Sequence, residues 1–231
     1  VTDIPIIPVE RLALRFDRAP WAFAVERRAE IDAHFETLRR AKPLWNGRVL
    51  LLHSGEIADG ALTGAYLETD FASFIAWRDW GFPDKTMRNC FPMAALRAAD
   101  GAFLLGVMAE HTAGAGHVYF PAGTPDPNDV VGDTVDLAGG VMRELTEETG
   151  LTAADVAPER GWTATPLGPR IALMKLMQSP QNAEPLRARI LEFLAAQREP
   201  ELSDIRIARG VADLDPMMPP YVAAFLKSRF A

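Results

Sequence analysis

The chain has 231 residues, 48% of them apolar, and a formal net charge of −7. This length bounds one large domain or two small ones with a sizeable core, and the acidic balance disfavours a nucleic-acid backbone or an anionic membrane as partner. The single cysteine, Cys90, excludes an intrachain disulfide; it is expected to be a buried small hydrophobe in a cytoplasmic protein. No apolar run approaches the roughly 18 residues of a membrane span. The opening VTDIPIIPVE lacks the basic start and apolar core of a leader, and Val1 in place of Met suggests a trimmed start.

In chain order, Leu12, Leu14 and Phe16 alternate as in a strand, and residues 21–41 read as a helix with Ile31, Phe35 and Leu38 inward, closed by Pro43. Residues 46–55 and 62–69 read as paired strands, and Asp70 as the cap of a helix over 71–79. WGFPD (80–84) breaks the pattern, so a boundary is expected there: an N-terminal α/β extension over 1–83 and a second domain over 84–231. Residues 89–98 and 102–109 flank Asp100-Gly101, a strong hairpin signal, and 117–123 read as a further strand. Residues 124–135 read as loop. Strands are expected at 162–166, 171–178 and 204–209, and helices at 184–197 and from Pro219-Pro220 to about 230.

The stretch DLAGGVMRELTEETGL (136–151) reads as one helix. Glu144, Glu147 and Glu148 fall on one face with Arg143 on its flank; Ala138, Val141, Met142, Leu145 and Thr149 fall on the other and are expected inside. Like charges at this spacing weaken a helix by roughly 0.2–0.5 kcal/mol per pair. A hard divalent cation bound through oxygen ligands would compensate. Gly150 stands where a left-handed residue ends a helix.

RELTEETGL (143–151) matches every defined position of the C-terminal half of the Nudix box, G-x5-E-x7-R-E-U-x-E-E-x-G-U, where U is apolar. FPAG (120–123) resembles the box's FPGG entry, with Gly123 as its first glycine. The chain is thus identified as similar to the Nudix hydrolase superfamily. The first half departs from the pattern: Gly123 to Arg143 spans 20 positions where the box has 14, and counting back from Arg143 puts Val135 at the box glutamate. Asp136 lies on the acidic face and is the candidate substitute, bracing Arg143 or a water held by the metal; a helix-dipole role in the first turn is the alternative.

The resemblance implies an α/β/α sandwich around a mixed sheet and hydrolysis of a diphosphate in a nucleoside diphosphate derivative with Mg²⁺ or Mn²⁺. By motif position Glu144, Glu147 and Glu148 are the metal ligands. Arg143, Glu144 and Glu147 are the catalytic set, with Glu144 as further ligand or base. Ala122 and Gly123 are the substrate-binding loop backbone. The stretches 43–57 and 69–81 resemble the N-terminal lobe of Nudix enzymes that cleave UDP-sugars, which favours a nucleotide sugar. Coenzyme A and dinucleotide diphosphatases remain as alternatives, as does a nucleotide-sensing module without turnover. A prenyl diphosphate isomerase is disfavoured because Cys90 lies in no matching motif. The expected partner is a small-molecule diphosphate, not nucleic acid or membrane, and a homodimer is left open. Trp77, Trp80 and Phe82 read as lobe packing or stacking groups, His111 and His117 as loop residues near the site, and Arg88, Arg97 and Arg170 as candidate phosphate contacts.

Overall fold

The computed structural model describes residues 4–42, 44–112 and 114–231. Val1 and Pro43, on which two expectations rest, lie outside the described residues. The N-terminal elements are β1 (Ile7–Val9), β2 (Arg11–Asp17), α1 (Ala22–Glu26), α2 (Arg28–Ala41), β3 (Arg48–Ala58), β4 (Ala61–Asp70) and α3 (Phe71–Asp79). After them come β5 (Asn89–Arg97), β6 (Phe103–Met108), β7 (Val118–Tyr119), β8 (Val130–Val131), β9 (Thr134–Val135) and α4 (Leu137–Thr149). The chain ends with β10 (Ala157–Pro158), β11 (Trp162–Leu167), β12 (Arg170–Gln178), α5 (Ala183–Ala196), β13 (Leu202–Ala208) and α6 (Pro220–Phe230).

The large sheet runs β1-β11-β12-β5-β6-β13, with β10 added to β12 and β7 to β6. Its centre is the parallel pair β5–β12, in register from Asn89–Arg170 to Arg97–Gln178. A strand covered on both faces needs no polar side, and β5 accordingly reads as a nearly continuous apolar run. Ala94 and Leu96 of β5 pack with Val141 and Leu145 of α4 and with Leu186 and Ile190 of α5. Phe91, Met93 and Ala95 pack with Val222, Phe225 and Leu226 of α6. Helices therefore cover both faces, and the fold is the expected α/β/α sandwich around a mixed sheet.

The small sheet runs β3-β4-β2-β9-β8. Ile31 and Phe35 of α2 and Phe74 and Trp77 of α3 cover one face. On the other, Leu14, Leu52 and Tyr66 share a core with Cys90, Ala164 and Leu173 of the large sheet. The two sheets also exchange strands. Residues 7–9 pair with β11, whereas Thr134 of β9 pairs with Arg15 of β2.

Some expected elements differ. The 21–41 helix breaks at Arg27, whose φ of −106° and ψ of 20° are not helical. Residues 124–135 are not plain loop but a one-turn helix at Pro127–Asp129 followed by the β8–β9 hairpin. The strand expected over 117–123 is only Val118–Tyr119. Around Asp100-Gly101, β5 and β6 pair only through Leu96–Leu104 and Arg97–Phe103, because β7 takes the same edge of β6 at Gly106 and Val107 and residues 121–122 bond to β5 at Met93 and Ala94. In α4, Ala138 is exposed and Leu137 takes the inward place; Met142 is half-buried.

Gly150 ends α4 with φ +70°, and a Cβ there would lie 2.5 Å from Cδ2 of Phe193. A left-handed L-residue costs roughly 1–2 kcal/mol before any clash. Gly150→Ala should therefore lower the urea-unfolding free energy by about 2 kcal/mol; a loss below about 0.5 kcal/mol would mean this cap contributes no strain-sensitive stability.

Candidate active site

Helix α4 is held at both ends. The Asp136 carboxylate accepts hydrogen bonds from the backbone N–H of Ala138 (3.1 Å) and Gly139 (3.0 Å), and Gly150 turns the chain away. With Val141 and Leu145 fully buried beneath it, the helix has one rotation, and its acids take fixed positions. Glu147 is exposed, Glu144 half-buried and Glu148 buried. Arg143 joins them: Nη1 donates to Glu144 Oε1 at 2.8 Å and lies 3.6 Å from Glu147 Oε2.

The other end of that guanidinium corrects the expectation for Asp136. Nη2 of Arg143 donates to Oδ1 of Asp129 at 3.0 Å, and Asp129 is almost fully buried. Asp136 is spent on the helix N-terminus, where its oxygen meets free N–H groups, and Asp129 has the bracing role. Counting forward from Gly123 through five residues reaches Asp129, the box position, with aspartate for glutamate. The extra residues are thus 130–135, the β8–β9 hairpin, and the N–H of Asp136 closes it by donating to the carbonyl of Asp129 at 2.7 Å. Gly140 faces Asp129; a Cβ there would lie 2.7 Å from Oδ1. Its missing side chain makes room for the Asp129 carboxylate.

Burial sets the electrostatics. Burial pushes the Glu144 carboxyl up to about 7; Arg143 opposes this, and Glu147, Glu201 and Asp129 add to it. Burial also pushes Glu148 well above its ordinary value, although Oε1 accepts from the Ala122 N–H at 3.1 Å. Oε2 of Glu148 is buried with no hydrogen-bond partner. An orphaned carboxylate oxygen beside a second desolvated carboxylate fits the donor set of a hard cation. Among the described residues no three carboxylate, imidazole or thiolate groups already surround one point, and Arg143 holds Oε1 of Glu144. Gly123 packs against Glu144 so closely that a Cβ would overlap the carboxylate.

Glu201, at the entry to β13, was not marked by any local pattern, yet its charge acts on Glu144, Glu148 and Tyr119. Ala122 and Gly123 line a cavity of about 520 Å³ together with His117 and Arg170. His111 is exposed, and Arg88 donates to the carbonyls of Lys85 and Met87. Arg97 lies over the Phe103 ring. Trp77 is fully buried and donates to the Asp84 carbonyl, while Trp80 and Phe82 pack on the same core, so all three are structural. Cys90 is buried and burial pushes its thiol up to about 12, which leaves it unreactive.

No protein-family model matches the chain, and no curated protein does. Among solved structures, the chain is similar to a MutT protein from Methanosarcina mazei Go1, with 19% identity and a TM-score of 0.40 over 62% of this chain and 92% of that one. It is similar to the Nudix hydrolase RenU from M. smegmatis, with 16% identity and a TM-score of 0.40 over 60% and 80%. The E. coli ORF135 protein gives 18% identity and a TM-score of 0.34 over 62% and 89%.

Asp129→Ala would leave Arg143 with Glu144 alone as hydrogen-bonded carboxylate and should cost about 2–3 kcal/mol, below the range for a fully buried pair because Arg143 is partly exposed. Asp136→Ala removes only a helix cap and should cost about 1 kcal/mol. Equal losses in chemical denaturation would return the bracing role to Asp136. A second outcome follows from Glu144. Its folded value of about 7 lies above the ordinary 4.5, so the stability it contributes is present below about 4.5 and lost as pH rises through about 7. With divalent ions chelated, wild type should lose more stability than Glu144→Gln between about pH 4.5 and 7.5; parallel pH curves would contradict this.

Proposed function

We propose that the chain is a Nudix-type hydrolase that cleaves a diphosphate linkage in a nucleoside diphosphate derivative. The observation that carries this reading is α4 itself. It bears every defined residue of R-E-U-x-E-E-x-G-U, with the orphaned Glu148 Oε2 beside the desolvated Glu144 and next to Gly123. Glu144, Glu147 and Glu148 would hold Mg²⁺ or Mn²⁺, which supplies Lewis acidity and neutralises diphosphate charge.

The chain's own groups divide the remaining work. Arg143 engages Oε1 of Glu144 and leaves Oε2 free. Oε2, clear of the guanidinium, suits a general base that takes a proton from the attacking water. The water oxygen bonds to phosphorus, the bond to the bridging oxygen breaks, and that oxygen leaves with its electron pair. Asp129 keeps Arg143, and through it Glu144, in position. The backbone of Ala122 and Gly123 lies beside the carboxylates and suits the diphosphate. Residues 84–231 carry the chemistry, and 1–83 form the extension. A nucleotide sugar is the preferred substrate, with coenzyme A-type and dinucleotide diphosphates next, in a cytoplasmic setting.

The test is a panel of nucleotide sugars, dinucleotides and coenzyme A with Mg²⁺. At least one should yield nucleotide or phosphate product, and Glu144→Gln and Glu148→Gln should each lower kcat at least about a hundredfold. Asp136→Ala should stay within severalfold of wild type. Binding without turnover across the whole panel would replace the enzyme with a nucleotide-sensing module.

A further inference from the structure

A second cavity, of about 540 Å³, opens between the small sheet and the start of α4, and it has the size of a small-molecule site. It lies across the large sheet from the cavity beside Ala122 and Gly123. Met174 and Leu176 of β12 pack with α6, so Lys175 between them points to the other face, where this cavity is. Its walls are Leu12 and Leu14 of β2, Val131 and Val135 of the β8–β9 hairpin, and Leu137 of α4, all apolar. Trp162 of β11 and Lys175 form the floor. The hairpin is the insertion that lengthens the motif, so one wall is made of residues for which the motif has no place.

Lys175 is short of partners. Its Nζ donates to the Gly161 carbonyl at 3.1 Å and lies 4.9 Å from the Trp162 ring centre. An ammonium has three donors, so this leaves two without a protein acceptor. Burial lowers its pKa, and no carboxylate among the described residues opposes this. A desolvated charge in a native protein is normally paired, so the missing counter-ion points to a ligand. The side chain is only half-buried and lines the cavity, so a ligand there can reach it. The complement is a single negative charge on an apolar body. Glu10 and Asp136 also line the cavity. A doubly charged phosphate would meet two carboxylates for one ammonium, whereas a single carboxylate is matched by Lys175. Leu12, Leu14 and Val135 favour an apolar body behind that charge, because they offer a polar one no partner.

We propose that this cavity is a second ligand site, for a small organic carboxylate whose charge pairs with Lys175 and whose apolar body lies between β2 and the hairpin. The assignment does not depend on the hydrolase reading of α4. Calorimetric titration of the full chain with octanoate, octanamide and acetate tests it, with divalent ions chelated so that no metal on α4 can hold the carboxylate of a probe. Octanoate should bind at least about fivefold more tightly than octanamide, which has the body without the charge. It should bind at least about tenfold more tightly than acetate, which has the charge without the body. Lys175→Gln should weaken octanoate at least about fivefold and so bring the octanoate and octanamide affinities together. Val131→Asp adds a third carboxylate to the lining and should lower the octanoate-to-octanamide ratio at least about threefold. Val131 is 61% exposed, so this variant keeps the test open if Lys175→Gln does not fold. No binding of octanoate, equal affinity for octanoate and octanamide, octanoate no tighter than acetate, or a ratio that survives either substitution would overturn the assignment.

Discussion

One guanidinium holds the carboxylates of this site together. Arg143 reaches Asp129 in one direction and Glu144 and Glu147 in the other, so it bridges the one-turn helix before the hairpin and the face of α4. The planar fork suits this work, since its donors diverge in fixed directions where an ammonium would be a single point of charge. Asp129 is itself fixed by the Asp126 N–H, which donates to its Oδ2, and by the space that Gly140 leaves. The hairpin that closes at Asp136 pairs with β2, so the acidic face is linked mechanically to the small sheet.

That arrangement runs against electrostatics, and the rest of the fold has to tolerate it. Glu148 is buried, with one N–H for one of its oxygens and nothing for the other. An uncompensated buried carboxylate costs several kcal/mol or takes up a proton instead. The sandwich supplies what resists this. Val141 and Leu145 bury the underside of α4 on β5, and β5 is the middle strand of a two-sided core. A helix anchored so firmly can carry an unfavourable outer face. Preorganised carboxylates of this kind gain most from a cation, because the helix does not have to reorder when one binds.

What the sequence made legible follows from how local each determinant is. The α4 motif, its Gly150 stop and the Asp70 cap depend on residues within a few positions of one another, and they read correctly. Asp129 does not, because six inserted residues separate it from Arg143; only its distance from Gly123 keeps the motif spacing. The hairpin at 130–135 carries no strand pattern, because its strands have two residues each and exist only through pairing with each other and, at Thr134, with Arg15 of β2. Glu201 approaches α4 through the fold of β13 against β6, a relation that no spacing in the chain encodes. Asn89 heads an apolar strand, and the isolation of its Oδ1 appears only when the sheet and helices close around it.

The extension is not an appendage in physical terms. Phe74 and Arg78 of α3 line the cavity that Asn89 and Arg170 floor. Leu14, Leu52 and Tyr66 share a core with Cys90 and Leu173, and the Tyr66 hydroxyl donates to the Cys90 carbonyl at 2.9 Å. Cutting the chain near position 84 would expose that core, remove the partner of the β8–β9 hairpin and open one wall of the cavity. The hairpin leads straight into the cap of α4, so the loss would reach Asp129 and then Arg143. The small sheet therefore acts on the carboxylate cluster through the same six residues that lengthen the motif, which gives that insertion a structural reason to be there.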